Sequence, residues 1–179
     1  MKLNLTVKDL ESLTFSQKQS LNSLWLPAVY DRAVASVCKD AENDIYENLE
    51  FAVGEVLISE RGTITLKRLR KPEELTIDEE LPVNEEESDE ESPEEVFYDY
   101  EFDPGDYFLK ENCLPLFNIG QLIDCLRKTK AGQGGFSLDI PPIGGAGADS
   151  CFRINDRYGE VDKDDELIDL LFKILKEQL

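Results

Sequence analysis

The sequence predicts an α+β protein in which a mostly antiparallel sheet of about five or six strands is packed by helices. Amphipathic helical patterns lie near both ends of the chain and in its centre, and short strand patterns lie between them. A long acidic insertion interrupts the strand patterns. A chain of 179 residues fits one domain, because domains usually hold roughly 100 to 200 residues.

Two short capped helices are predicted at the N-terminus. Thr6 and Thr14 are each followed, three residues later, by a residue that can complete a capping box. In the second helix Trp25 falls on the face that carries the leucines, so we expect this side chain in the core. Pro27 ends the helix because proline cannot donate the next backbone hydrogen bond.

Strand patterns follow in the first half of the chain. Residues 33–38 predict a strand, although a short helix would also fit them. Residues 49–58 and 63–69 predict a β-hairpin with Gly62 in its turn. Residues 96–102 alternate between apolar and polar side chains and predict a further strand beyond the acidic insertion.

The second half is predicted to contain a helix at 118–130, two short strands at 136–140 and 150–154, and a final helix from about 162 to 179. Acidic residues at the start of the final helix would suit the positive end of its dipole. Its apolar face is broad, which favours packing against the sheet. A homodimer through this C-terminal helix is the alternative.

No catalytic residue, cofactor or metal site is predicted. The chain has no histidine, so the commonest general base and metal ligand are absent. The glycine-rich residues 141–148 lack the Lys-Ser/Thr of a phosphate-binding loop and are predicted to form a plain loop. The four cysteines match no zinc or redox spacing and are expected to be reduced core thiols: Cys38, Cys113, Cys125 and Cys151.

No stretch of the sequence suggests a membrane or a secretory route. The first residues lack an apolar run of signal-peptide length, and nowhere do 18 uncharged apolar residues follow one another. We therefore expect a cytoplasmic protein without membrane partners.

The negative charge is concentrated in one part of the chain. Residues 1–72 have no net charge and residues 107–179 carry −3, whereas residues 73–106 carry 17 acidic side chains and no basic one. We call residues 73–95 the acidic insertion. Outside residues 73–106 the chain is therefore close to neutral.

The densest part of the insertion is the acidic run, residues 85–95, which holds eight acids in eleven positions. It repels itself and has nothing apolar to bury, so we expect it to be disordered. Extended at about 3.3 Å per residue, it would present one negative charge per roughly 4.5 Å, against about 3.4 Å along one DNA strand. Its acids are Glu85, Glu86, Glu87, Asp89, Glu90, Glu91, Glu94 and Glu95.

These patterns support several functional hypotheses. The first is a non-enzymatic binding protein whose acidic run occupies a basic surface of another protein; in its narrower form, that surface binds nucleic acid and the protein is an inhibitor. By size and composition alone, the chain is similar to small acidic phage and mobile-element proteins that inhibit restriction, CRISPR or repair nucleases. The simplest alternative is a solubilising insertion with no partner.

Two further hypotheses remain open. In the second hypothesis, the basic hairpin binds a nucleic-acid backbone, and the acidic run competes with the nucleic acid for the same basic residues. Its basic residues are Arg61, Lys67, Arg68, Arg70 and Lys71. An enzyme that uses carboxylates in an unmarked cleft is the last alternative, and no pair of acids can be named for it.

Overall fold

The structure, a computed structural model, describes residues 2–40, 43–70, 104–141, 151–156 and 159–179. The acidic run, the strand predicted at 96–102 and most of the glycine-rich loop lie outside these residues. Within them the α+β class is confirmed. The strands form two antiparallel sheets, one of five strands and one of three, rather than the single sheet that was predicted.

Two helices begin at capping boxes that the sequence supplies. Thr14 and Gln17 close one at the start of α2 (Phe15–Leu24), and Asn118 and Gln121 close one at the start of α3 (Ile119–Lys128). The helices are α1 (Val7–Glu11), α2 (Phe15–Leu24), α3 (Ile119–Lys128), α4 (Lys130–Gln133) and α5 (Leu167–Lys176).

The larger sheet has the order β4-β3-β2-β1-β5. Its strands are β1 (Arg32–Asp40), β2 (Ile45–Ile58), β3 (Ile64–Arg68), β4 (Tyr107–Leu109) and β5 (Cys113–Pro115). The predicted hairpin is confirmed as β2 and β3, and Gly62 adopts a φ of 80° in its turn, a conformation that glycine adopts without steric cost. Residues 33–38 lie in a strand and not in a helix.

The smaller sheet has the order β6-β7-β8, from β6 (Ser137–Asp139), β7 (Phe152–Asp156) and β8 (Gly159–Asp164). The predicted start of the final helix is therefore wrong. Residues 162–164 belong to a strand that pairs with β7, and the helix begins only at Leu167. Cross-strand pairing with β7 decides their conformation, and the helix dipole does not.

A single hydrophobic cluster joins the helices to both sheets. Val53 and Leu66 enter it from the larger sheet, Ile154 enters from the smaller one, and Trp25 is buried as predicted. The apolar face of α5 packs against α3 and the smaller sheet. The feature that suggested a homodimer is therefore covered by the protein's own core.

Candidate interaction site

The described chain stops and resumes at one place in the fold, on either side of the stretch that contains the acidic insertion. β3 and β4 are neighbouring antiparallel strands, and their last described pair is Lys67 opposite Tyr107. The chain passes Arg70 before the insertion and returns at Pro104. The 33 residues between these points therefore connect two hydrogen-bonded strands.

A charged cluster fixes this place. Arg68 Nε donates a hydrogen bond of 2.7 Å to Asp106 Oδ1, and Arg70 Nε donates one to the other carboxylate oxygen. We call these three residues the Asp106 clamp. The Asp106 side chain is 5% exposed, while about a quarter of each arginine remains in contact with water. The clamp therefore ties the end of β3 to the start of β4.

The electrostatics of the clamp follow from its geometry. Burial by itself would raise the pKa of Asp106, because it disfavours the charged carboxylate. Hydrogen bonds and charges from Arg68 and Arg70 outweigh this effect, and the pKa of Asp106 is lowered. The carboxylate is thus ionised at neutral pH and compensates two neighbouring cations.

The fold separates the basic side chains of the hairpin from one another. Arg68 and Arg70 face Asp106, whereas Arg61 lies in the exposed turn at the other end of β3, roughly 20 Å of extended strand away. Lys67 Nζ lies 3.9 Å from the Glu55 carboxylate and 5.6 Å from the centre of the Tyr107 ring. Lys71 lies outside the described residues. The described members therefore do not form one continuous cationic patch.

Asp9 and Asp169 approach each other in the described residues, because their carboxylates lie 2.7 and 2.6 Å from the same Lys2 ammonium group. Asp106 is the buried charged side chain of the described residues, and it accepts hydrogen bonds from two arginines. No three cysteine or acidic side chains of the described ranges come together in a way that could hold a metal ion. Across those same ranges, no helix combines the length and the apolar character needed to cross a bilayer.

An exposed apolar loop lies at the same end of the larger sheet as the clamp, and the sequence patterns did not predict it. Residues 26–30, which we call the Tyr30 loop, connect α2 to β1. Leu26 is 78% exposed, Val29 47% and Tyr30 75%. Tyr30 has a φ of 72°, in the left-handed region that a bulky residue rarely adopts.

Hydrogen bonds of Asp31 and of the Tyr30 backbone fix the conformation of the Tyr30 loop. The Asp31 carboxylate accepts hydrogen bonds from the indole N–H of Trp25, from the backbone N–H of Ala28 and from the side-chain amide of Gln121. The backbone N–H of Tyr30 donates to the carbonyl of Val53. These bonds fix the loop to α2, α3 and β2.

The Tyr30 loop and the clamp lie on opposite sides of the same point on β2. Val53 bonds to Tyr30 and Asp31 through its backbone and is paired with Arg68 in the sheet register. Two strand spacings amount to roughly 10 Å. Leu69, which is 49% exposed, bonds to the carbonyl of Ala52, so it lies at this same end of the sheet.

Comparisons with protein-family models, with curated proteins and with solved structures returned no match. The function is therefore inferred from the chain's own geometry and charge.

Proposed function

We propose that this protein is a non-enzymatic binding protein whose acidic insertion engages a basic surface of a partner protein. In the narrower form of the proposal, that surface normally binds nucleic acid, and the protein inhibits its partner by occupying it. The observation that carries the proposal is the charge distribution: residues 73–106, which contain the acidic insertion, hold 17 acids and no base, whereas the rest of the chain carries a net charge of −3.

The attachment of the insertion supports this proposal. The 33-residue connection that contains the insertion joins two neighbouring strands, and the Asp106 clamp ties those strands together. A tethered charged segment held at one place on a folded body has a high local concentration near a bound partner, which adds to overall affinity.

The charge spacing supports the narrower form. One negative charge per roughly 4.5 Å of extended chain is close to the spacing along a DNA strand, so a cleft lined by Lys and Arg would attract both. The basic residues of the hairpin are separated in the fold, and Arg68 and Arg70 already bond to the Asp106 carboxylate. This arrangement favours the proposal over direct binding of nucleic acid by the hairpin.

The test compares two variants that lose the same number of charges in different places. In the first, Glu85, Glu86, Glu90 and Glu91 of the acidic run are replaced by Gln. The matched control carries Glu→Gln at four exposed positions of the folded body. These positions are Glu11, Glu60, Glu111 and Glu177.

Each variant and the wild type are used as bait for affinity purification from the native host, followed by quantitative partner identification. We expect the acidic-run variant to lose a basic partner that the wild type and the control retain. The purified partner should then be displaced from the protein by duplex DNA and by salt. Identical partners for all three baits would refute the proposal.

A further inference from the structure

The Tyr30 loop combines exposure with rigidity in a way that core packing does not require. Leu26, Val29 and Tyr30 direct little of their surface into the fold, so their apolar character contributes little to folding. The left-handed conformation of Tyr30 would be adopted more easily by glycine. A large aromatic residue at this position is therefore unfavourable for the fold and needs another explanation.

Rigid, exposed aromatic residues are typical anchors of protein interfaces. Tyrosine supplies a large contact area with few rotatable bonds, and it is enriched among the residues that dominate binding energy. The hydrogen bonds of Asp31 and of the Tyr30 backbone hold the loop in place before binding. Such preorganisation lowers the entropy that a complex must lose.

Charge selects the kind of partner that can cover this loop. At a net charge of −20, a second copy of the chain, a nucleic acid or an anionic membrane would each be repelled. A basic protein would be attracted. The loop lies roughly 10 Å from Arg68, where the chain enters the acidic insertion, so one partner surface can reach both features.

We infer that the Tyr30 loop, together with Leu69, is an apolar anchor that inserts into an apolar pocket on a basic partner protein, beside the surface that the acidic insertion engages. This inference rests on the proposed function and adds a second contact to it. The insertion supplies a long-range, salt-sensitive attraction, and the anchor supplies short-range, salt-insensitive contacts.

The test uses two synthetic peptides of equal positive charge. One is rich in Arg and Lys and contains several leucines, and the other has serine at every leucine position. Their affinities for the full-length protein are measured at low salt through the fluorescence of Trp25. This residue is the single tryptophan, and its indole N–H bonds to Asp31 directly beneath the loop.

We expect the leucine peptide to bind the wild type about tenfold more tightly than the serine peptide, since burying one or two leucines is worth at least this factor. Tyr30→Gly and Leu26→Ser should each reduce this preference by at least threefold and leave the affinity for the serine peptide unchanged. Phe15→Ser is the matched control, because Phe15 is 77% exposed and lies at the opposite end of α2.

Each outcome has a separate meaning. If both peptides bind the wild type equally, the inference is overturned and the proposed function stands. If the preference survives in Tyr30→Gly and Leu26→Ser, or disappears equally in Phe15→Ser, the anchor is not this loop. If neither peptide binds the wild type at low salt, the proposed function fails, and the inference fails with it.

Discussion

Replacing Asp106 with asparagine should destabilise the protein by about 2 to 3 kcal/mol at pH 6. Asparagine keeps one carbonyl oxygen for one guanidinium, but it removes the negative charge that compensates Arg68 and Arg70. Removing one partner of a fully buried ion pair costs about 3 to 5 kcal/mol, and a hydrogen bond to a charged group contributes about 1.5 to 3. We expect a cost of about 2 to 3 kcal/mol, near the lower end of these two ranges, because both arginines keep about a quarter of their surface in water.

Urea unfolding followed by Trp25 fluorescence measures this loss. With an m-value of about 2 kcal/mol per molar urea, the midpoint should fall by about 1 M. Asp124→Asn is the control: it makes the same substitution at an exposed carboxylate that lies 2.7 Å from Lys128, and it should leave the midpoint unchanged. Equal midpoints for the two variants would refute a stabilising role for the clamp.

The same comparison has a predictable pH dependence. The folded-state pKa of Asp106 lies below its ordinary value of 3.8, so its contribution is present above this value and is lost as the pH falls through the folded-state pKa. Once the carboxyl is protonated, it is neutral, as asparagine is. The stability difference between wild type and Asp106→Asn should therefore be constant near pH 6 and shrink below about pH 3.8. A difference that grows on acidification would contradict this assignment.

Three further outcomes follow from burial and backbone geometry. Leu171→Ala should cost about 3 kcal/mol in urea unfolding, because the side chain is fully buried between α5 and the core and leaves a cavity; a loss below about 1 kcal/mol would contradict tight packing there. Tyr30→Gly should change stability by less than about 1 kcal/mol, since relief of the left-handed strain offsets the added freedom of the unfolded chain. Cys38 is exposed, so its predicted place in the core is wrong, whereas Cys113 is buried and its pKa is raised by burial to about 12. Cys113 should therefore react with a thiol reagent at pH 8 far more slowly than Cys38, as peptide mapping after timed labelling would measure.

Local signals predicted the parts of the fold that local interactions determine. The capping box at Thr14 depends on residues three positions apart, and the β2–β3 hairpin depends on a short turn with Gly62. These elements were correctly predicted because the interactions that fix them lie within one short stretch of sequence. The burial of Trp25 follows from the same helical spacing.

Elements that depend on distant partners were missed or misassigned. β4 and β5 have three residues each and are too short to show a period, so only their neighbours in the sheet define them. β8 carries acids that suit the first turn of a helix, yet pairing with β7 makes it a strand. Strands β6 and β7 were predicted at 136–140 and 150–154, but β8 and the separation of the three strands into a second sheet were not.

In the candidate site, too, one feature was predictable from the sequence and others were not. The concentration of acids is a property of the sequence and was evident from composition alone. The Asp106 clamp joins residues 36 and 38 positions apart, and the left-handed conformation of Tyr30 has no glycine or asparagine to indicate it. Such features appear only when the chain is folded.

The adjacency of β3 and β4 has a consequence for how this protein can change over generations. For a flexible loop, each doubling of its length costs only about 0.6 kcal/mol of closure entropy. Shortening the 33-residue connection to about eight residues would therefore alter folding stability by only about 1.2 kcal/mol. Mutation and selection can accordingly lengthen this stretch, shorten it or change its charge while β3 and β4 stay paired, so its length and charge can change without changes to the sheet that carries it.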